Sequence, residues 1–226
     1  MAHKGSKNIV NDTQKSNRIQ LSPRTEKQKE YLNALQNSSQ VFAIGPAGSG
    51  KTYIPTMLAT QMYLRGKIKK IILSRPAVEV GESHGFLPGD LHRKLAPWVL
   101  PITELIEEAV GKEKFITMMR AGDIEVAPFA YMRGRTFENA FVILDEAQNT
   151  TPKQMEMFLT RIGEGSRMVI SGDLRQSDIG KNSGLAVAID LIKRYKIPAE
   201  IIEFTSRDVV RSEMCRQWVE AFEKGA

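Results

Sequence analysis

A short apolar run, Val41-Phe42-Ala43-Ile44, leads straight into Gly45-Pro46-Ala47-Gly48-Ser49-Gly50-Lys51-Thr52, and a helical pattern follows over residues 50–64. Few folded chains have a use for three glycines, a lysine and a hydroxyl residue between a strand and a helix. The glycines allow backbone angles that turn successive N–H groups toward one point, and the helix start adds unpaired amides and partial positive charge. That point suits an anionic oxygen. The pattern reads as a phosphate-binding loop of the Walker A kind, with Gly45, Pro46, Ala47, Gly48, Ser49 and Gly50 as its cradle. Lys51 is expected to reach the β- and γ-phosphates of a nucleotide, and Thr52 to offer its hydroxyl to Mg²⁺. A plain glycine turn beside a surface lysine is the rival explanation. It leaves the strand–loop–helix context unexplained.

The rest of the chain alternates strand-length apolar runs with helical patterns. Helices are expected over residues 25–35, 50–64, 91–110, 112–119, 155–162, 185–195 and 213–222. Strands are expected over 41–44, 68–73, 124–127, 141–144, 167–170 and 200–204. Pro97 and Pro101 are expected to break or offset the 91–110 helix, and Pro55, which lacks the N–H that would bond back to Lys51, to distort the helix after the loop. Strands alternating with helices imply right-handed crossovers and a parallel sheet covered on both faces, an α/β fold. Residues 1–22, with Lys4, Lys7, Lys15 and Arg18 and no apolar periodicity, read as a flexible basic tail. Residues 23–226 are then one domain.

The run Phe141-Val142-Ile143-Leu144 has the composition of a strand buried on both faces, and it ends in Asp145-Glu146. Open α/β sheets bind ligands at the carboxyl ends of their strands. Asp145 is expected there as a Mg²⁺ ligand, direct or through water, and Glu146 as the group that polarises water against the γ-phosphate. Alone, the pair could equally cap the next helix. With the glycine loop upstream, hydrolysis is the better reading. No Asn-Lys-x-Asp guanine-reading motif occurs, so ATP is expected rather than GTP.

Composition narrows the setting. The uninterrupted apolar runs are far shorter than the roughly 20 residues a membrane-spanning helix needs, so no membrane partner is expected, and the N-terminus has no secretory h-region. Cys215 is the only cysteine, which excludes an intrachain disulfide and points to a reducing cytoplasm. The three histidines, His3, His84 and His92, accompany no cysteine cluster, so a structural zinc site is not expected. A net charge of +6 and a pI near 9.4 fit a polyanionic partner, with ordinary solubility as the rival explanation.

Asp145-Glu146-Ala147-Gln148 and Ser171-Gly172-Asp173-Leu174-Arg175-Gln176 resemble motifs II and III of superfamily 1 helicases, and Thr25-Glu26-Lys27-Gln28 resembles their Q motif. The resemblance implies a γ-phosphate contact for Gln176 and an adenine contact for Gln28. Leu73-Ser74-Arg75-Pro76-Ala77-Val78-Glu79, Gly85-Phe86-Leu87-Pro88-Gly89-Asp90, Met132-Arg133-Gly134-Arg135-Thr136 and Asp208-Val209-Val210-Arg211 are similar to PhoH family proteins over residues 23–224. That family resemblance implies a single RecA-like P-loop NTPase lobe of three layers, a cytosolic setting, a homo-hexamer and action on RNA. Some members add a PIN nuclease domain, for which this length leaves no room.

A single lobe lacks the arginine that a second lobe would bring to the γ-phosphate. Arg211 is the expected finger, supplied across a subunit boundary in a ring. Arg75, after the second strand, is expected with Arg133 and Arg135 on a surface that follows a nucleic-acid backbone. The leading expectation is an ATPase motor on single-stranded RNA or DNA. An ATP-gated assembly or scaffold protein is the alternative from another class. A small-molecule kinase fits Glu146 and Gln176 less well.

Overall fold

The computed structural model describes residues 21–76 and 91–225, so nearly all of the expected basic tail, Ala77-Val78-Glu79 and the Gly85 to Asp90 segment lie outside the described residues. Among the described residues, six strands form one all-parallel sheet: β1 (Gln40–Ile44), β2 (Lys70–Ser74), β3 (Ile124–Val126), β4 (Ala140–Leu144), β5 (Arg167–Gly172) and β6 (Glu200–Glu203). Their spatial order is β3-β2-β4-β5-β1-β6. The helices are α1 (Glu26–Asn37), α2 (Tyr53–Leu64), α3 (Leu91–Val110), α4 (Lys112–Ala121), α5 (Pro152–Leu159), α6 (Gly184–Tyr195) and α7 (Glu213–Gly225).

Period-two alternation along the central strands sends side chains to two separate cores. Phe141, Ile143 and Val169 join Tyr31, Leu35, Ile54, Leu58, Ile102, Ile106 and Met118 from α1 to α4 on one face. Val142, Leu144, Met168 and Ile170 join Met155 and Phe158 of α5 and Leu185, Ala188 and Ile192 of α6 on the other. Burial on both faces is why β4 is apolar at every position. The result is the three-layer α/β/α fold expected. No helix among the described residues is long and apolar enough to cross a membrane.

Three local expectations are corrected. α3 runs unbroken through Pro97 and Pro101. A helical proline costs about 3 kcal/mol, and full burial of Val99, Ile102 and Ile106 at helical spacing offsets a loss of that order. α5 starts three residues before the expected position, because Thr151 caps it, Pro152 sits at its first position and Gln154 completes a capping box. α2 begins at Tyr53, with Lys51 and Thr52 still in a turn.

Because every strand is parallel, their carboxyl ends share one edge. β4, β5 and β1 are neighbours, so the glycine loop, Asp145-Glu146 and Ser171 to Asp173 converge there. The Gly45 N–H donates to the Gly172 carbonyl at 3.1 Å, and the Asp145 N–H to that of Ser74 at 3.0 Å.

Candidate active site

The loop after β1 depends on its glycines for shape. Gly45 has φ +140°, and a Cβ there would lie 2.4 Å from the Phe204 carbonyl oxygen. Gly48 has φ +83°, and a Cβ there would meet the Arg211 side chain at 2.8 Å. α1 braces the loop from beneath. Gln28, buried, donates from Nε2 to the Ser49 carbonyl at 2.9 Å, while its Oε1 accepts from the Arg24 N–H at 2.8 Å. Tyr31, fully buried edge-on to Phe204, donates its hydroxyl to the Lys51 carbonyl at 2.9 Å. That carbonyl is available because residue 55 is a proline. The flanking bonds, Ile54 to Gly50 and Thr56 to Thr52, are made, and the one between them has no donor. The distortion expected at Pro55 is therefore a missing rung filled by a tyrosine.

Lys51 folds its ammonium onto the loop, donating to the Gly45 carbonyl at 2.6 Å and the Pro46 carbonyl at 2.7 Å. Burial lowers its pKa from the usual lysine value, opposed by the nearby Asp173, Asp145 and Glu146. Thr52 donates its hydroxyl to Asp145 Oδ1 at 3.0 Å, and Ser171 donates to the same oxygen at 3.1 Å. Burial raises the Asp145 carboxyl above its ordinary value, and Glu146 adds to this, while Arg75 and the two hydroxyls pull it down. A buried carboxylate beside a second acid, with a threonine hydroxyl on it, is a hard oxygen donor set suited to Mg²⁺. The loop amides, Lys51 and this pair together fit a Mg²⁺-nucleotide.

Glu146 adopts φ +51°, ψ +37°, a left-handed conformation that costs a non-glycine residue about 1–2 kcal/mol. Such strain at a strand end is held in place by surrounding structure. Here Oε1 accepts from Arg75 Nη2 at 3.2 Å and Oε2 from Gln148 Nε2 at 2.6 Å. Gln148 is buried, and its own Oε1 accepts the Asp173 N–H at 3.1 Å, which ties β4 to β5. Lys51, Thr52, Tyr53, Arg75, Asp145, Glu146, Asp173, Gln176 and Arg211 all line one cleft of about 370 Å³. That volume suits a small-molecule ligand.

The sequence model of the PhoH-like protein family matches residues 20–223 of this chain. The chain belongs to the PhoH family. Over 203 residues it is 50% identical to a PhoH-like protein of Bacillus subtilis (strain 168), covering 89% of this chain and 63% of that one. It is 41% identical to Protein PhoH of Escherichia coli (strain K12), covering 88% of this chain and 57% of the other. The chain thus spans about three-fifths of the length of these relatives. Among solved structures it is similar to the UvsW helicase of bacteriophage T4 (TM-score 0.48, 13% identity, 81% of this chain and 61% of that one). It is also similar to a Bacteroides Pif1 in complex with ADP-AlF4 (TM-score 0.35, 21% identity, 80% and 41%).

In this PhoH-family chain, the residues read from the sequence divide by location. Lys51, Thr52, Asp145, Glu146 and Gln176 gather in the cleft, and Arg75, expected with Arg133 and Arg135 on a surface facing nucleic acid, lines the same cleft. Arg211 does so too, but over the loop of its own chain, where the neighbouring Val210 N–H donates to the Gly48 carbonyl at 3.0 Å. Gln28 holds the loop with both ends of its amide, so an adenine contact would require releasing Ser49 and Arg24. Arg135 pairs with Glu125, which Lys70 approaches at 3.7 Å, and its guanidinium lies 5.2 Å from the Phe137 ring centre. Arg133 is exposed on the turn before it, and neither lines the cleft. Sequence reasoning passed over Tyr31, Tyr53, Gln148 and Ser171. Only Gln148 and Ser171 carried a signal, their places in the two acidic strand-end motifs.

Proposed function

We propose that this PhoH-family chain is a Mg²⁺-dependent ATPase whose turnover is coupled to single-stranded nucleic acid, RNA ahead of DNA. The observation that carries the reading is the convergence of Lys51, Thr52, Asp145 and Glu146 in one cleft at the carboxyl edge of the sheet. The loop amides of residues 45–52 cradle the phosphates, and Lys51 leaves the Gly45 and Pro46 carbonyls to neutralise charge on the β- and γ-oxygens. Thr52 and Asp145 would hold Mg²⁺, which would supply further charge neutralisation at the phosphates. Glu146 orients and polarises the attacking water. Gln176 and Arg211 approach the γ-phosphate from the motif after β5 and the turn before α7. Gln28 acts by holding the loop rather than by reading adenine.

Arg75 and Arg133 are the proposed contacts to the nucleic-acid backbone, and Arg135 is left to its ion pair. The cleft has exposed Tyr53 and Arg211 on its open side. A neighbour in a cytoplasmic homo-hexameric ring would close over that side, with Arg211 serving its own cleft. A second reading, an ATP-gated scaffold, is favoured by α7. Its Met214, Trp218 and Phe222 are exposed, and the two rings stack at 5.9 Å. Apolar faces of this kind suit protein partners.

ATP turnover with and without single-stranded RNA separates the two readings. The motor reading predicts stimulation by RNA, weaker for DNA, that fades as salt rises because backbone contacts release counterions. Turnover indifferent to both nucleic acids at low salt would favour the scaffold.

A further inference from the structure

Glu146 is held at both carboxylate oxygens, and its two holders differ in kind. Gln148 is 1% exposed and anchored in turn on the Asp173 N–H, so it stays with Glu146 as a fixed support. Arg75 comes from a different strand. It is the first residue past β2, beside β4 in the sheet, and its side chain keeps 30% of its surface exposed. Its guanidinium, 3.2 Å from Glu146 Oε1, is partly exposed to solvent at the carboxyl edge of the sheet. Of the two holders, Arg75 is therefore the one that solvent and a second partner can reach.

We infer that Arg75 is a positioning residue that restrains Glu146 until a backbone phosphate of single-stranded nucleic acid takes its guanidinium. This inference rests on the proposed nucleic-acid-coupled ATPase. A phosphate offers a guanidinium the same forked, charge-assisted pairing that a carboxylate does, so one partner replaces the other without leaving the arginine unpaired. Once Arg75 is drawn off, Oε1 of Glu146 is free to accept a proton from the attacking water, while Gln148 keeps Oε2 in place. Nucleic-acid occupancy and hydrolytic competence are thus linked through one side chain, and the coupling is reciprocal for binding.

The test is steady-state ATP turnover of wild type, Arg75→Ala and Arg75→Lys, each with and without an unstructured single-stranded RNA, alongside thermal unfolding. A half-exposed ion pair restrains modestly, so Arg75→Ala should raise RNA-free kcat by roughly two- to five-fold. Its KM for ATP should stay near wild type, and its RNA stimulation should fall to about one-fold. Arg75→Lys, which keeps a charge but not the forked pairing, should fall between wild type and Arg75→Ala in both basal rate and stimulation. Arg75→Ala that melts like wild type, keeps its low basal rate and is still fully stimulated overturns the restraint and leaves the ATPase reading standing. A wild type indifferent to nucleic acid overturns the coupled reading and this release with it.

Discussion

Tyr31 and Pro55 are 24 positions apart in sequence, yet they share the Lys51 carbonyl. Proline removes the helical donor and the tyrosine hydroxyl replaces it. Leaving a partly buried carbonyl unpaired costs about 1 kcal/mol, so Tyr31→Phe should lower stability by about that much and loosen nucleotide binding. Pro55→Ala restores a main-chain N–H for the same carbonyl, and in that background Tyr31→Phe should cost much less. Denaturant unfolding and nucleotide titration of the four proteins check the cycle; equal costs in both backgrounds would show that the bond does not brace the loop. The sequence identified Lys51 and Thr52 because their motif is contiguous. It could not identify Tyr31, whose partner is a backbone atom in another element. The same holds for Arg135, taken by Glu125, and for Arg211, whose position over its own Gly48 depends on the turn after β6.

At the scale of elements, the alternation of apolar runs was enough to locate every strand of the sheet to within about two residues. Periodicity on a sheet buried on both faces is a strong signal. Helix starts were less legible. The expected start of α5 at Met155 followed the first apolar residue, whereas Thr151, Pro152 and Gln154 had already begun the helix by satisfying its free amides. Thr151→Ala should therefore cost about 1 kcal/mol of stability, read by denaturant unfolding, with a smaller effect on nucleotide binding because α5 lies outside the cleft lining. An unchanged midpoint would mean that packing of Met155 and Phe158 alone sets the start of α5. Pro97 and Pro101 misled in the opposite direction, because a local rule was outweighed by the burial of Val99, Ile102 and Ile106.

For the molecule as a whole, the parallel topology brings together what the sequence separates. Residues near 50, 75, 145, 173 and 211 meet at one edge because β2, β4, β5, β1 and β6 lie side by side. Two acids, a lysine and a threonine there could serve phosphate binding alone. The claim that they hydrolyse ATP stands or falls on Glu146, the strained residue held at both oxygens. Phosphate release from saturating Mg²⁺-ATP, compared between wild type and Glu146→Gln, tests it directly. A positioned general base contributes about 10²–10⁴-fold. Glu146→Gln should lose that much turnover with ATP affinity within a few-fold of wild type, whereas release at the wild-type rate would show that Glu146 is not the base.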